Sequence, residues 1–454
     1  MLQQIKLQNF KCFKKVNIKL KNFNVVCGPN SSGKTTINQG VLLHLQNNRI
    51  DKEHFITNGK YVHFDDFAEL KNSATSSDKD VVIELFNEKN QKRKIVISSQ
   101  DDGKKIKCKE YTSEFDILDE KNIFYLSANR IGPEDVYNKF TSELIEQYGQ
   151  NAIGFLAKYQ NQPIDEKYAF IKYPTKDYQF IKEINYWLNE IVGEQVHVTE
   201  ISRTDKSTAT YSHEVNSLEV RNKNTGSGVS YVIAILVMAF SLAIKENEET
   251  PLIIIENPEI HLHPLGQIKL MTFLKFMSQF CQIIVETHSD HIIKNFLQYT
   301  NGQVIKLNKD YVPIYYNKRS KYTLKTLTLG EVQWTAFDLP TIDFHVSLLS
   351  YLQAKFNEFS LNKLDDLIRD TAIFKSNYEK YDTRCRRYNN NHSNPKSNYE
   401  TLPIYMRNVI DHPVKKRGSS EPPRKKYRKT EYEFHEALKN SIQFMLEIIK
   451  EKKW

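Results

Sequence analysis

The chain opens on alternation. IKLQNFKCF, Ile5 to Phe13, trades apolar and polar positions, and KLKNFNVVC, Lys19 to Cys27, does the same before running into GPNSSGKTT. Both stretches predict strands, and a helix is expected from about Lys34 to Asn47. Tyr61 to about Ile123 reads as short strands and loops, and NIFYLSANRIGP (Asn122 to Pro133) as a buried strand ending in a loop. From Glu134 to about Gly193 the chain is polar, with aromatic residues at helical spacing, which predicts a helical insertion. It has no sustained heptads, so a long coiled-coil arm is not expected. Val229 to Ile244 reads as a mostly apolar helix. LIIIE (Leu252 to Glu256) and QIIVE (Gln282 to Glu286) are continuous apolar runs that predict buried parallel strands, with a helix from Leu265 to Phe280 between them. After about His345 the pattern turns helical, Asn-rich and basic, and NNNHSNPKSN and VKKRGSSEPPRKKYRK read as loops.

Strands that alternate with helices over the first 345 residues make this an α/β chain, and 454 residues allow two or three domains. The net charge is +9, and residues 346–454 hold 22 Lys and Arg against 14 Asp and Glu, so nearly all the excess lies there. Such asymmetry points to an acidic partner, nucleic acid first, or to a solvated charged surface. The five cysteines (Cys12, Cys27, Cys108, Cys281 and Cys385) are scattered without C-x-x-C, which argues against a disulfide framework or zinc knuckle. MLQQIKLQNFKCF has no apolar signal core, and the run from Val232 to Ile244 is too short for a bilayer. A cytoplasmic protein without a membrane partner is expected.

GPNSSGKT, Gly28 to Thr35, fits G-x-x-x-x-G-K-[ST] without mismatch and lies between an apolar strand and a helix. Glycines let such a loop wrap phosphate while backbone N–H groups and the helix N-terminus face the anion. An ATP site is expected on Gly28, Asn30, Ser31, Ser32, Gly33, Lys34, Thr35 and Thr36. Lys34 would contact the β- and γ-phosphates, and Thr35 would place its hydroxyl on Mg²⁺. Glu256 is the expected acid partner of that ion, on a strand beside the P-loop strand. His288, just past QIIVE, can reach the γ-phosphate across the carboxyl edge of the sheet. Asn257 follows Glu256 and cannot take a proton from water. Glu259 is the alternative base if its loop turns inward. NTGSGVS (Asn224 to Ser230) puts glycines and serines at a helix N-terminus, either a second anion-binding end or an ordinary capped turn.

Four elements in this order resemble the ABC-type ATPases of the SMC, RecF and OLD-like class: the P-loop at Gly28, the Gly/Ser segment Gly226 to Ser230, ENPEIHLHP, and ETHSDH. The resemblance covers roughly residues 1–300. GSGVS, IENPEIHLHP, YLSANRIGP and NGKYVHF are similar, more narrowly, to prokaryotic AAA-type ATPases of anti-phage defence, including the PtuA subunit of Septu systems. The resemblance implies a P-loop ABC-type ATPase head over residues 1–345, with a mostly parallel sheet and a helical insertion at about 134–225. A helical basic C-terminal domain follows over 346–454. Two heads would close face to face on ATP, with Lys34, Thr35, Glu256 and His288 from one subunit and Ser227 and Gly228 from the other. Dimerisation would then be linked to nucleotide by mass action.

Many relatives carry glutamate where this chain has Asn257, and a lost general base typically costs about 10²–10⁴ in rate. The expectation is an ATPase that binds well and turns over slowly, as a homodimer or higher oligomer that contacts nucleic acid and controls a partner nuclease. The family's HLHP loop, here with His261 and His263, is structural, and no third metal ligand accompanies it. Arg130 is a further candidate near the nucleotide.

LPIYMRNVIDHP contains Arg407, Asn408 and His412 in the order R-N-x-x-x-H before a final helix (Tyr432 to Lys450), which resembles the HEPN ribonuclease motif. In such a site the histidine handles the 2′-hydroxyl proton and the arginine stabilises phosphate charge, without metal. A structural alternative is that Arg407 pairs with Asp411 and His412 suits the helix end. The same Arg–His spacing recurs at Arg387 and His392 in an Asn-rich loop. No H-N-H constellation or acidic nuclease cluster is legible elsewhere. The basic stretch Lys415 to Lys429 suits either phosphates or a docking partner. A self-contained ribonuclease and a RecF-like DNA-repair ATPase are the rival readings.

Overall fold

The computed structural model describes residues 1–48, 53–76, 78–100, 105–115, 123–132, 134, 136–138, 145–171, 177–200, 206–213, 219–221, 226–244, 250–299, 301–317, 323–324, 326–381, 401–411 and 431–454. Both Asn-rich and basic loop segments of the C-terminal part, with His392 and His412, lie outside the described residues. The chain divides into two compact units, Met1–Arg319 and Ser320–Trp454.

In the first unit, strands β1 (Leu2–Phe10) and β2 (Phe13–Lys19) pair antiparallel from Gln4↔Lys19 to Phe10↔Phe13. Their alternation is that of a sheet with one face on a core: Leu2, Ile5, Leu7, Val16 and Ile18 are buried while Gln3, Gln8 and Asn17 face out. KLKNFNVVC is therefore not one strand. Lys19 ends β2, and β3 (Phe23–Cys27), buried at every position, belongs to another sheet. Helix α1 (Lys34–Gln46) follows directly. After a single-turn α2 (Phe67–Leu70), strands β4 (Val81–Asn87), β5 (Lys92–Gln100) and β6 (Lys105–Ser113) complete a five-stranded antiparallel sheet, β2-β1-β4-β5-β6.

Strand β7 (Ile123–Leu126) precedes a region that differs from the helical insertion expected at about 134–225. It has two helices, α3 (Ala152–Tyr159) and α4 (Phe180–Val192), but also β8 (Tyr137–Asn138), β9 (Glu194–Glu200), β10 (Lys206–His213) and β11 (Glu219–Arg221) in a small antiparallel sheet. The cause is local. Gly193, left-handed at φ 77°, stops α4, and the alternating Val196 and Val198 that follow favour extended backbone.

The remaining elements of this unit are α5 (Ser227–Phe240), β12 (Leu252–Glu256), α6 (Pro264–Met277), β13 (Gln282–Glu286), α7 (Asp290–Phe296), β14 (Gly302–Leu307) and β15 (Pro313–Tyr316). The main sheet has the order β15-β14-β3-β13-β12-β7, parallel except for β15 at its edge. Ile253, Ile254, Ile255, Ile283, Ile284 and Val285 are wholly buried, and each such side chain contributes about 1.5–3 kcal/mol over exposure. Glu256 was expected on a strand beside the P-loop strand. Instead β13 pairs with β3, and β12 lies one strand further out.

The second unit is helical: α8 (Leu329–Phe337), α9 (Ile342–Phe356), α10 (Leu361–Arg369), α11 (Ala372–Ser376), α12 (Tyr378–Tyr381), α13 (Leu402–Asp411) and α14 (Glu431–Glu451). Thr328, Thr341 and Thr371 each cap a helix by accepting from the backbone N–H three residues on. The unit begins before the boundary expected at 345 because Leu324, Trp334 and Phe344 pack into its core with Leu348, Ile442 and Met445. Among the described residues no helix is long and apolar enough to cross a membrane.

Candidate nucleotide site

The P-loop bridges β3 and α1 through backbone that only particular residues adopt. Gly28 has φ 145°, Ser31 φ 61° and Gly33 φ 96°. A Cβ on Gly28 would lie 2.3 Å from Leu307 O, and one on Gly33 would lie 2.6 Å from both Cys12 Sγ and Phe13 Cζ. Glycine is thus required twice, once for φ and once for space. No side chain caps α1, so its first N–H groups are left for a ligand. Asn30 and Ser31 stand exposed at the tip, while Ser32 is buried with Oγ unpartnered. Thr36 points away from the tip, toward Cys12 Sγ at 3.8 Å. Lys34 Nζ folds back onto Gly28 O at 3.2 Å and Pro29 O at 2.9 Å. Burial lowers the Lys34 pKa, against the pull of nearby Glu286. An ammonium resting on its own loop, a bare helix end and an orphaned hydroxyl form a donor set that fits a polyphosphate.

Behind this loop stand the acids. The Thr35 hydroxyl donates to Glu286, 3.0 Å from Oε1 and 3.1 Å from Oε2. Asn38 Nδ2 reaches Glu286 Oε2 at 3.3 Å and Glu256 Oε1 at 3.5 Å. Glu256 Oε2 also accepts from the Ala128 N–H at 3.3 Å. Burial raises the pKa of both carboxyls, and the Glu256 charge adds to the shift of Glu286, which is pushed up to about 7. The acid that meets the Thr35 hydroxyl is therefore Glu286, with Glu256 joined to it through Asn38. Among the described residues no group of three or more His, Cys, Asp or Glu is placed to hold a metal by itself. Thr35 and a carboxylate suit Mg²⁺ all the same, because that ion is usually held by one or two carboxylates with substrate phosphates and water.

Asn257 sits in the left-handed region at φ 42°, its N–H donates to Glu286 O at 2.7 Å, and its buried Oδ1 has no partner. Asparagine tolerates that backbone better than glutamate does. Glu259 is turned inward: its Oε1 accepts the His288 N–H at 2.8 Å, and burial raises its pKa. The His288 ring is exposed at the carboxyl edge of the sheet, where partial burial and the Lys34 charge lower its pKa. Arg130 is buried and donates to Glu256 O at 2.5 Å and Asn257 O at 3.4 Å. Burial pushes its pKa down to about 10.

The Gly/Ser segment begins α5, and no side chain caps that helix. Ser227 is half-buried and Gly228 buried, and a Cβ on Gly228 would lie 2.7 Å from His261 O. Gly226, Gly228, His261 and His263 line an open groove of about 320 Å³. The His261 ring meets Tyr231 edge-on at 5.2 Å, and the Arg130 guanidinium lies 5.6 Å from the centre of the same Tyr231 ring. His263 Nδ1 accepts the Leu265 N–H, so that histidine is a helix cap.

In the second unit, Arg407 pairs with Asp411 at 2.8 Å, and Asn408 is buried. Sequence reasoning missed Glu286, Asn38 and Tyr231. QIIVE carried the same signal as LIIIE, an apolar strand ending in an acid.

The fold and this site define a P-loop ATPase. Residues 1–170 and 126–293 match the AAA ATPase domain family, and the chain belongs to that family. No curated protein sequence matches the chain. Among solved structures, an SMC head bound to the C-winged helix domain of ScpA is 15% identical over 70% of this chain and 98% of its own, with a TM-score of 0.40. An SMC head domain from Thermotoga maritima is 13% identical over 70% and 98%, with a TM-score of 0.37. An SMC head with an extended coiled coil, bound to the C-terminal domain of ScpA derived from Pyrococcus furiosus, is 14% identical over 69% and 95%, with a TM-score of 0.41.

Proposed function

We propose that this chain is a regulatory ATPase of a prokaryotic anti-phage defence complex, akin to the PtuA subunit of Septu systems. It holds Mg-ATP between two copies of its head, hydrolyses it slowly, and controls a partner nuclease according to the nucleotide state. The defence role rests on the sequence resemblance, and the observation that carries the slow, nucleotide-holding ATPase is the contrast between a complete phosphate loop and the residue after Glu256. Gly28, Gly33, Lys34 and Thr35 supply all that tight binding needs, whereas Asn257 offers an amide, in left-handed backbone, where a base would act.

The chain's residues divide the work accordingly. Lys34 leaves the loop carbonyls for the β- and γ-phosphates, and the N–H groups at the start of α1 receive the remaining charge. Bound Mg²⁺ would neutralise phosphate charge and fix its geometry beside Thr35. Glu259, oriented by the His288 N–H, is the carboxylate left to accept a proton, and its raised pKa suits it to hold one. Ser227 and Gly228 would close on the nucleotide of the opposite copy, and the basic C-terminal segment would meet nucleic acid or the nuclease.

Mass measurement in dilute solution tests the reading. ATP with Mg²⁺ should convert the chain to dimers or larger assemblies, and Lys34→Ala should abolish the conversion. An assembly state indifferent to ATP, Mg²⁺ and Lys34→Ala would overturn nucleotide-gated dimerisation.

A further inference from the structure

Strands β12 and β13 run parallel in register and both end in glutamate, so Glu256 and Glu286 stand side by side at the carboxyl edge of the sheet. Both are nearly fully buried, at 6% and 5% exposure. Adjacent buried carboxylates are unfavourable unless protons or a cation neutralise them. Three features of the pair point to a cation. The Thr35 hydroxyl, the P-loop group suited to Mg²⁺, is shared between the two oxygens of Glu286. Asn38, 1% exposed, spends its amide donor on both acids. Its carbonyl Oδ1, in the same spot, is buried and has no partner. The carboxylate oxygens share the Thr35 hydroxyl, the Asn38 amide and the Ala128 N–H, and Asn38 Oδ1 is the acceptor left over, so the set is oxygen-rich, the composition that a hard divalent ion and its water satisfy.

We infer that Glu286 belongs to the divalent-cation site with Thr35 and Glu256, so that two carboxylates, one from each of two neighbouring strands, serve the ion that accompanies the nucleotide. The inference rests on the P-loop being a nucleotide site. Glu286 then exchanges the Thr35 hydroxyl for the cation, directly or through water, when metal and nucleotide bind. Asn38 is the positioning residue that holds the two acids at a fixed separation.

The test is Mn²⁺ binding by the full chain, read by electron paramagnetic resonance with ADP and with a non-hydrolysable ATP analogue. Glu286→Gln, Glu286→Asp and Lys34→Ala are compared with the wild type. Nucleotide binding in EDTA is measured separately. Glu286→Gln should weaken Mn²⁺ by about 10–100-fold, the range for lost metal-site partners, while metal-free nucleotide binding persists and Glu286→Asp recovers part of the loss. The Mn²⁺ spectrum should also change between wild type and Glu286→Asp. Mn²⁺ affinity within about twofold of wild type in Glu286→Gln would overturn the inference and leave Glu286 as a structural partner of Thr35. Absence of nucleotide binding by the wild type, with or without metal, would instead overturn the nucleotide site, and the inference with it.

Discussion

The backbone N–H of His288 donates to Glu259 Oε1 at 2.8 Å, tying the loop after β12 to the loop after β13. That bond goes with the inward turn on which a role for Glu259 as a base depends. Glu259→Gln keeps an acceptor for His288 and removes the charge. It should bind ATP like the wild type and lose most of the slow hydrolysis that remains without a base at Asn257. Glu259→Ala should lose the tie as well and melt at a lower temperature. Unchanged hydrolysis in Glu259→Gln would remove Glu259 from the reaction.

Asn257 tests the backbone instead. At φ 42° a glutamate there costs about 1–2 kcal/mol that glycine avoids. Asn257→Glu should melt below the wild type, and Asn257→Gly at or above it. Equal melting of all three would mean that the turn relaxes freely.

Much of this site was legible because its signals are local. The P-loop spacing, the two apolar runs ending in acids and the apolar helix after NTGSGVS each depend on neighbouring residues only. Strand order does not. That β13 lies between β3 and β12, bringing Glu286 to Thr35, is decided by crossovers between distant segments. KLKNFNVVC read as one strand because the three residues at which the chain changes sheets carry no Gly or Pro. The strands β9 to β11 were masked by the helical spacing of the aromatic residues before them. The left-handed backbone of Asn257 has no sequence signature beyond asparagine itself.

Without nucleotide and cation, stability should depend on pH through Glu286. Burial, with Glu256 beside it, pushes its carboxyl from an ordinary 4.5 to about 7. Between these values the folded chain keeps a proton that the unfolded chain has released. This contribution is therefore full below about 4.5 and is lost as pH rises through about 7. In nucleotide-free, cation-free buffer it is on the order of 3 kcal/mol. Melting temperatures over this range should fall more steeply for the wild type than for Glu286→Gln. Parallel curves would contradict the shift.

Gly228 leaves no room for a side chain against His261 O, where a Cβ would lie 2.7 Å away. Gly228→Ala should cost about 1–3 kcal/mol by overpacking and weaken ATP-dependent assembly, because the start of α5 must shift. Melting and assembly like the wild type would show that this packing is slack.

Arg407 is half-exposed and bound to Asp411 one turn on. Such pairs contribute about 0.3–0.5 kcal/mol, so Arg407→Ala should leave melting almost unchanged. The purified chain should not cleave RNA. Cleavage that disappears in both Arg407→Ala and His412→Ala would establish the ribonuclease reading in its place.

Whether ATP is held more than it is spent is decided by loading the chain with labelled ATP and Mg²⁺ and following product formation and nucleotide release together. Lys34→Ala serves as the binding control. Intact ATP should remain bound for many minutes in the wild type. Turnover at about 1 s⁻¹ or faster, within the ordinary range of enzymes, would instead make hydrolysis the driver of the cycle.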